Sequence, residues 1–183
     1  MNTVGIIETK HGKGSYIASN PLSKAFKNIF PPIVLSTDLE SIKLLEARRF
    51  IEVGTTRLAA NNIDARQLER LESYIESMEK ATGNDDLEKF QKSDLKFHLG
   101  IAEGCDNEFL FGLLQGLRNL MEEQLSFVLN IPGRIESSLN YHKQILNGLQ
   151  EGNPEKASEA VAEHIRNATQ DIRESEKNEL LSF

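Results

Sequence analysis

LEKFQKSDLKFHLGI, residues 87–101, repeats apolar side chains at Leu87, Phe90, Phe97 and Ile101, the three-to-four spacing of one helical face. Asp94 interrupts that stripe, and His98 follows one turn later. Side chains four apart on a helix leave the same face about 6 Å from each other. A carboxylate and an imidazole therefore share a surface that otherwise belongs in a core.

Working outward from this helix, which starts near Asp85 and ends at Gly104, the same signals recur almost without interruption. Ser36, Thr37 or Asp38 caps a first helix running to about Asn61, and Asp64 caps a second that ends near Gly83. A fourth helix runs from Asn107 to about Ile131, and a fifth from Arg134 to Glu151. Asn153 caps a sixth, Pro154 fits its first turn, and it reaches about Lys177. Short connections between such helices predict an all-α fold, an antiparallel bundle of six or more helices over residues 37–177, with a tail at 178–183. The opening differs in kind. Val4, Ile6 and Ile7, then Tyr16 and Ile17, are β-prone runs around the glycine-bearing Lys10-His11-Gly12-Lys13-Gly14, so residues 1–18 read as a β-hairpin with a basic tip. Residues 19–36, with Pro21, Pro31 and Pro32, read as a linker holding one short helix around Leu22 to Ile29.

The chain has 183 residues, 39% of them hydrophobic, enough for one well-buried core. Cys105 is its single cysteine, which excludes an intramolecular disulfide or a thiolate cluster and reads as a small apolar filler. No apolar run approaches the roughly 20 residues of a membrane span, and the start lacks a signal-peptide layout. A cytoplasmic protein without a membrane partner is expected. A net charge of −7 argues against nucleic-acid binding over most of the surface, because phosphate contacts depend on Lys and Arg. The first 28 residues depart from this balance, with Lys10, Lys13, Lys24 and Lys27 against Glu8 alone.

Further inward polar residues follow from the same periodicity. The fifth helix gives the stripe Ile135, Leu139, His142, Leu146 and Leu149; the sixth gives Ala157, Val161, His164, Ala168 and Ile172. A lone inward histidine is ordinarily a hydrogen-bonded core residue. Three of them beside an inward carboxylate would cost several kcal/mol if left unpaired. They must therefore satisfy one another or share a partner, and a divalent cation is the economical one: Zn²⁺ or Ni²⁺ is favoured, and Mn²⁺, Co²⁺ or Fe²⁺ also suits the donors. Spacing fixes only Asp94 relative to His98. On the first helix, Leu44, Arg48, Ile51, Thr55 and Leu58 form the inward stripe, with Glu46 and Glu52 in reach of Arg48. Arg48 is then either half of a structural ion pair or a fork for a ligand carboxylate.

These residues resemble the C-terminal effector domain, the FCD domain, of the FadR subfamily of GntR regulators. The resemblance spans about residues 37 to 175. Glu46-Ala47-Arg48 with Glu52, Asp94-Leu95-Lys96-Phe97-His98, His142-Lys143-Gln144-Ile145-Leu146 and Ala160-Val161-Ala162-Glu163-His164 carry it. It implies that Asp94, His98, His142 and His164 are metal ligands. Gly5 to Ile17 resembles the wing of the GntR winged helix-turn-helix, which implies that Lys10, His11, Gly12 and Lys13 approach DNA. The recognition helix that precedes the wing in the family is not among these residues, so operator binding is expected of a full-length regulator and not, sequence-specifically, of this chain.

The resemblance further implies a homodimeric transcriptional regulator and not an enzyme. A small organic acid effector would complete the metal's coordination, with Arg48 on a second oxygen and Ser138 and Asn119 as further pocket contacts. Two rival readings share the donor set: a metal-dependent hydrolase, and a structural metal in a dimerisation module. Leu110, Leu113, Leu114, Leu117 and Leu120 give the fourth helix surplus apolar surface, suited to a dimer interface or to the centre of the bundle.

Overall fold

The computed structural model of the protein describes residues 7–12, 14–17 and 41–181. Strand β1 (Ile7–Lys10) pairs antiparallel with β2 (Gly14–Ile17), Ile7 opposite Ile17 and Lys10 opposite Gly14. Gly12 turns the chain at φ 76° and Gly14 follows at 88°, values that only glycine adopts without strain. The Thr9 and Ser15 hydroxyls meet at 3.0 Å across the pair. Lys13, the 19–36 segment with its expected short helix, and the expected caps Ser36, Thr37 and Asp38 lie outside the described residues.

Among the described residues six helices follow: α1 (Ser41–Asn62), α2 (Ala65–Gly83), α3 (Leu87–Glu103), α4 (Glu108–Val128), α5 (Arg134–Gln150) and α6 (Pro154–Leu181). Their starts are chemical. Asp64 accepts from the Gln67 amide at 2.7 Å while the Gln67 side chain accepts from the Asp64 amide, a full capping box. Asp86 caps α3 through the Lys89 amide, Asn107 caps α4 through the Phe109 and Leu110 amides, and Asn153 caps α6 through the Lys156 amide. Two boundaries move from expectation. Helix α4 stops at Val128 because Leu129 to Gly133 close as turns before the left-handed Gly133, and α6 continues to Leu181, since nothing at Lys177 ends it.

Connections of two to five residues join the helices, and of the successive pairs α2 with α3, α3 with α4 and α5 with α6 pack against each other. The broadest packing is α1 on α6, α5 on α6, and α2 on α3. The main core joins Leu71, Met78, Phe90, Phe97, Ile145 and Ile165, while Leu95, Leu114, Leu117 and Met121 build a second cluster between α3 and α4. Helix α4 thus spends much of its leucine stripe inside the bundle. No described helix is long and apolar enough to cross a membrane.

Candidate metal centre

Each ligand candidate occupies the inward face of its helix. Asp94 and His98 stand on α3, one turn apart; His142 projects from α5 and His164 from α6, and all four are at most 4% exposed. One donor atom from each lies within 4.8 Å of the others. The Nε2 atoms of His98 and His142 are 3.2 Å apart, Asp94 Oδ1 is 3.3 Å from His142 Nε2, and Asp94 Oδ2 is 3.8 Å from His98 Nε2. The His98 and His164 rings stack at 5.2 Å, and the His142 and His164 centroids are 4.7 Å apart.

Two facing imidazole nitrogens can share at most one proton. The Nδ1 atoms of His142 and His164 are also buried with no hydrogen-bond partner. A cation among the facing Nε2 atoms and the Asp94 carboxylate would take the place of that shared proton. Donor atoms held at about 2.0–2.1 Å by a tetrahedral ion lie about 3.3 Å from one another, close to the 3.2 Å between the two nitrogens and the 3.3 Å from Asp94 Oδ1 to His142 Nε2. Burial, then the neighbouring His98, Arg134 and Arg48 charges, push the His142 pKa well below 6.5. Burial does the same to His164, helped by His142, Arg134, His98 and Arg48. Both imidazoles are therefore neutral near pH 7, the form that ligates. Burial raises the Asp94 pKa, against the pull of His98, Arg48 and Arg134; a bound cation would reverse that shift.

Around the ligands stands a shell that sequence reasoning only partly reached. The sequence places Glu52 on α1 within reach of Arg48 as its partner. It is that, at 2.7 Å from Arg48 Nε, but its other oxygen lies 2.5 Å from His98 Nδ1, outside in-line hydrogen-bond geometry. Burial raises the Glu52 pKa, and Arg48 and His98 together outweigh it, leaving it at about 2. Gln124 on α4 accepts from Arg48 at 3.3 Å and donates to the Ser41 carbonyl at 2.7 Å. Arg134, 3% exposed, donates to Asn167 at 2.6 Å and Asp171 at 3.2 Å. A signal for Arg134 did exist: a cation in the first turn of a helix opposes the helix dipole, and Arg134, Ser138 and His142 share one i, i+4 stripe.

Among the other candidates, Ser138 is buried and donates to Asp94 Oδ1 at 3.5 Å. Asn119 is exposed. It stands five residues before Gln124, about 140° away around α4, so the helix cannot turn both inward. Glu46 and Leu58 are exposed as well, because α1 buries Leu45, Arg48, Glu52, Thr55, Thr56 and Ala59 instead. On the hairpin, Lys10 ends β1, and His11 and Gly12 form the exposed turn. Arg48, Asp94, Gln124, Arg134 and His164 border a cavity of about 10 Å³, roofed by Leu45, room for about one water.

Residues 43–167, from the first turn of α1 well into α6, match the FCD domain family. The chain is a member of the FCD domain family. The matched span holds the four ligand candidates together with Arg48, Glu52, Gln124, Arg134 and Ser138, and leaves out the hairpin. This FCD domain is 25% identical to the HTH-type transcriptional regulator LutR of Bacillus subtilis, the match covering 91% of this chain and 77% of that one. It is 26% identical to the Uxu operon transcriptional regulator of Escherichia coli, over 93% of this chain and 67% of that one. Among solved structures it resembles Streptococcus agalactiae GntR, with a TM-score of 0.69 and 25% identity, over 91% of this chain and 75% of that one.

Proposed function

We propose that this FCD domain is the ligand-sensing part of a GntR-type transcriptional regulator, in which Asp94, His98, His142 and His164 hold one divalent metal, Zn²⁺ or Ni²⁺ before Mn²⁺, Co²⁺ or Fe²⁺. The reading is carried by four buried donor atoms from three helices converging within 4.8 Å. Such an ion supplies a Lewis-acidic anchor for a carboxylate.

Arg48 and Arg134, both bordering the cavity beside Asp94 and His164, are the residues that receive the acid's remaining oxygens. The effector class is a small hydroxycarboxylate, sugar acid or dicarboxylate. Space for about one water does not admit such a molecule, so binding requires the wall to move. The ties at risk are specific. Arg48 holds Gln124 and thereby α1 to α4, and Arg134 holds Asn167 and Asp171 and thereby α5 to α6. A carboxylate that recruits both arginines competes with those bonds and shifts helix placement, which couples ligand affinity to conformation. In a dimeric full-length regulator that shift would reach the DNA-binding domains. Sensing is favoured over hydrolysis because Glu52, the other carboxylate buried beside the ligands, is engaged by Arg48 and His98 and has no free role as a general base.

Protein purified without added metal is expected to hold close to one first-row transition metal per chain by elemental analysis. An Asp94→Ala, His142→Ala double variant should lose it. A metal content unchanged by that double substitution sinks the assignment.

A further inference from the structure

The polar residues that border the cavity beside Asp94 and His164 are buried, and the chain around it is acidic, at net −7. An anionic ligand therefore approaches against the protein's overall field and needs a local exception to it. The α1–α6 seam provides one. On α6, Arg166, Thr169, Gln170 and Arg173 follow at i, i+3, i+4 and i+7, the spacing of a single face, and Arg49 stands across from them on α1. Together with Leu45 and a single carboxylate, Glu46, they line a groove of about 350 Å³. Arg166 is paired with Glu163, whereas Arg49 and Arg173 are exposed and, among the described residues, stand in no ion pair.

The groove and the metal pocket have one wall in common. Leu45, 1% exposed, lines both, and the chain alternates between the chambers on either side of it. Arg48 faces the inner pocket and Arg49 the groove. Likewise His164, Ile165 and Ala168 border the inner pocket, while Arg166 and Thr169 border the groove. We propose that this arginine-lined groove is the port by which a small polyvalent anion reaches the metal pocket, with Leu45 as the partition it displaces. The inference rests on the metal reading above. It adds the path, the residues that select for charge along it, and the side chain that closes it.

The test compares two chelators that attack Co²⁺-loaded full chain: pyridine-2,6-dicarboxylate, a dianion, and 1,10-phenanthroline, which is neutral. Rates of cobalt removal are followed by absorbance as chelator concentration and ionic strength vary. The dianion's second-order rate should exceed what a net charge of −7 permits and fall with added salt. An Arg49→Ala, Arg173→Ala variant should slow the dianion about tenfold, at the lower end of steering effects, flatten its salt dependence and leave phenanthroline unchanged. Arg66→Ala with Arg118→Ala, which removes the same charge from exposed sites outside the groove, should slow the dianion far less. Leu45→Ala should accelerate both chelators, and Leu45→Val provides a milder opening should the alanine variant fold poorly. Equal slowing by the two double variants, or removal independent of chelator concentration, overturns the port while the cobalt centre stands. A wild-type chain that takes up no Co²⁺ ends the metal reading itself and the port with it.

Discussion

Glu52 is the residue on which most of the centre's polar order depends, because it meets Arg48 with one oxygen and faces His98 with the other. At 2% exposure it is out of water, and so is Arg48 at 5%. Removing one partner of a buried pair strands the other charge, typically at about 3–5 kcal/mol. Glu52→Ala is therefore expected to cost about that much in urea unfolding of metal-free protein, and Glu52→Leu with Arg48→Met to recover most of it. A Glu52→Ala variant within about 0.5 kcal/mol of wild type, the range of an ordinary surface substitution, would show that the pair is not what it looks like. Arg48 has a separable second role. Arg48→Ala should weaken binding of a carboxylate such as citrate, measured by calorimetry on metal-loaded protein, while elemental analysis finds the metal still bound. Retained affinity would leave Arg48 as a structural residue only.

At the scale of the helix, the tightest contact is between α5 and α6 at Gly148. A Cβ there would lie 2.6 Å from the Ala157 amide nitrogen and 2.7 Å from its Cα, backbone atoms that cannot step aside. Gly148→Ala should consequently destabilise the domain by about 1–3 kcal/mol despite the better helix propensity of alanine, and because His142 and His164 stand on these two helices, it should weaken metal affinity as well. An unchanged Tm would mean that the helices separate at no cost. The same scale explains what the sequence could reveal. Caps at Asp64, Asn107 and Asn153 were readable because a side chain and an amide two or three residues on decide them. The phase of α1 was not: Leu44 and Leu45 are both buried, and a stripe drawn from Leu44 leads to the exposed Leu58, while one from Leu45 leads through Glu52 to Ala59. Inwardness of Asp94, His98, His142 and His164 was legible helix by helix. Their convergence was not, since it depends on how α3, α5 and α6 are placed, and the same holds for Gln124 and Arg134, which meet the site only through tertiary packing.

For the whole molecule, the centre makes folding depend on pH in windows that separate by residue. His142 and His164 are held neutral by burial, with pKa values well below the 6.5 they would have in an unfolded chain. Below about pH 6.5 the unfolded chain binds protons that the folded one refuses, so stability falls with pH, by up to about 1.4 kcal/mol per pH unit for each histidine. Glu52 acts lower: its pKa of about 2 against 4.5 gives stability that is complete above 4.5 and lost as pH falls towards 2. Asp94, raised by burial, runs the other way, and its ionisation takes stability away as pH rises through its folded value. Metal-free protein should therefore unfold more easily at pH 5.5 than at pH 7. Metal-loaded protein should be more stable at pH 7, by about 2.7 kcal/mol at a hundredfold excess over Kd, and should lose stability more steeply on acidification because protons displace the ion from its histidines. Urea titrations at half-unit pH intervals, with and without Zn²⁺, measure both slopes. A metal-free stability that is flat from pH 7 to 5.5 would mean that water reaches the histidines, and parallel slopes with and without Zn²⁺ would mean that no histidine binds it.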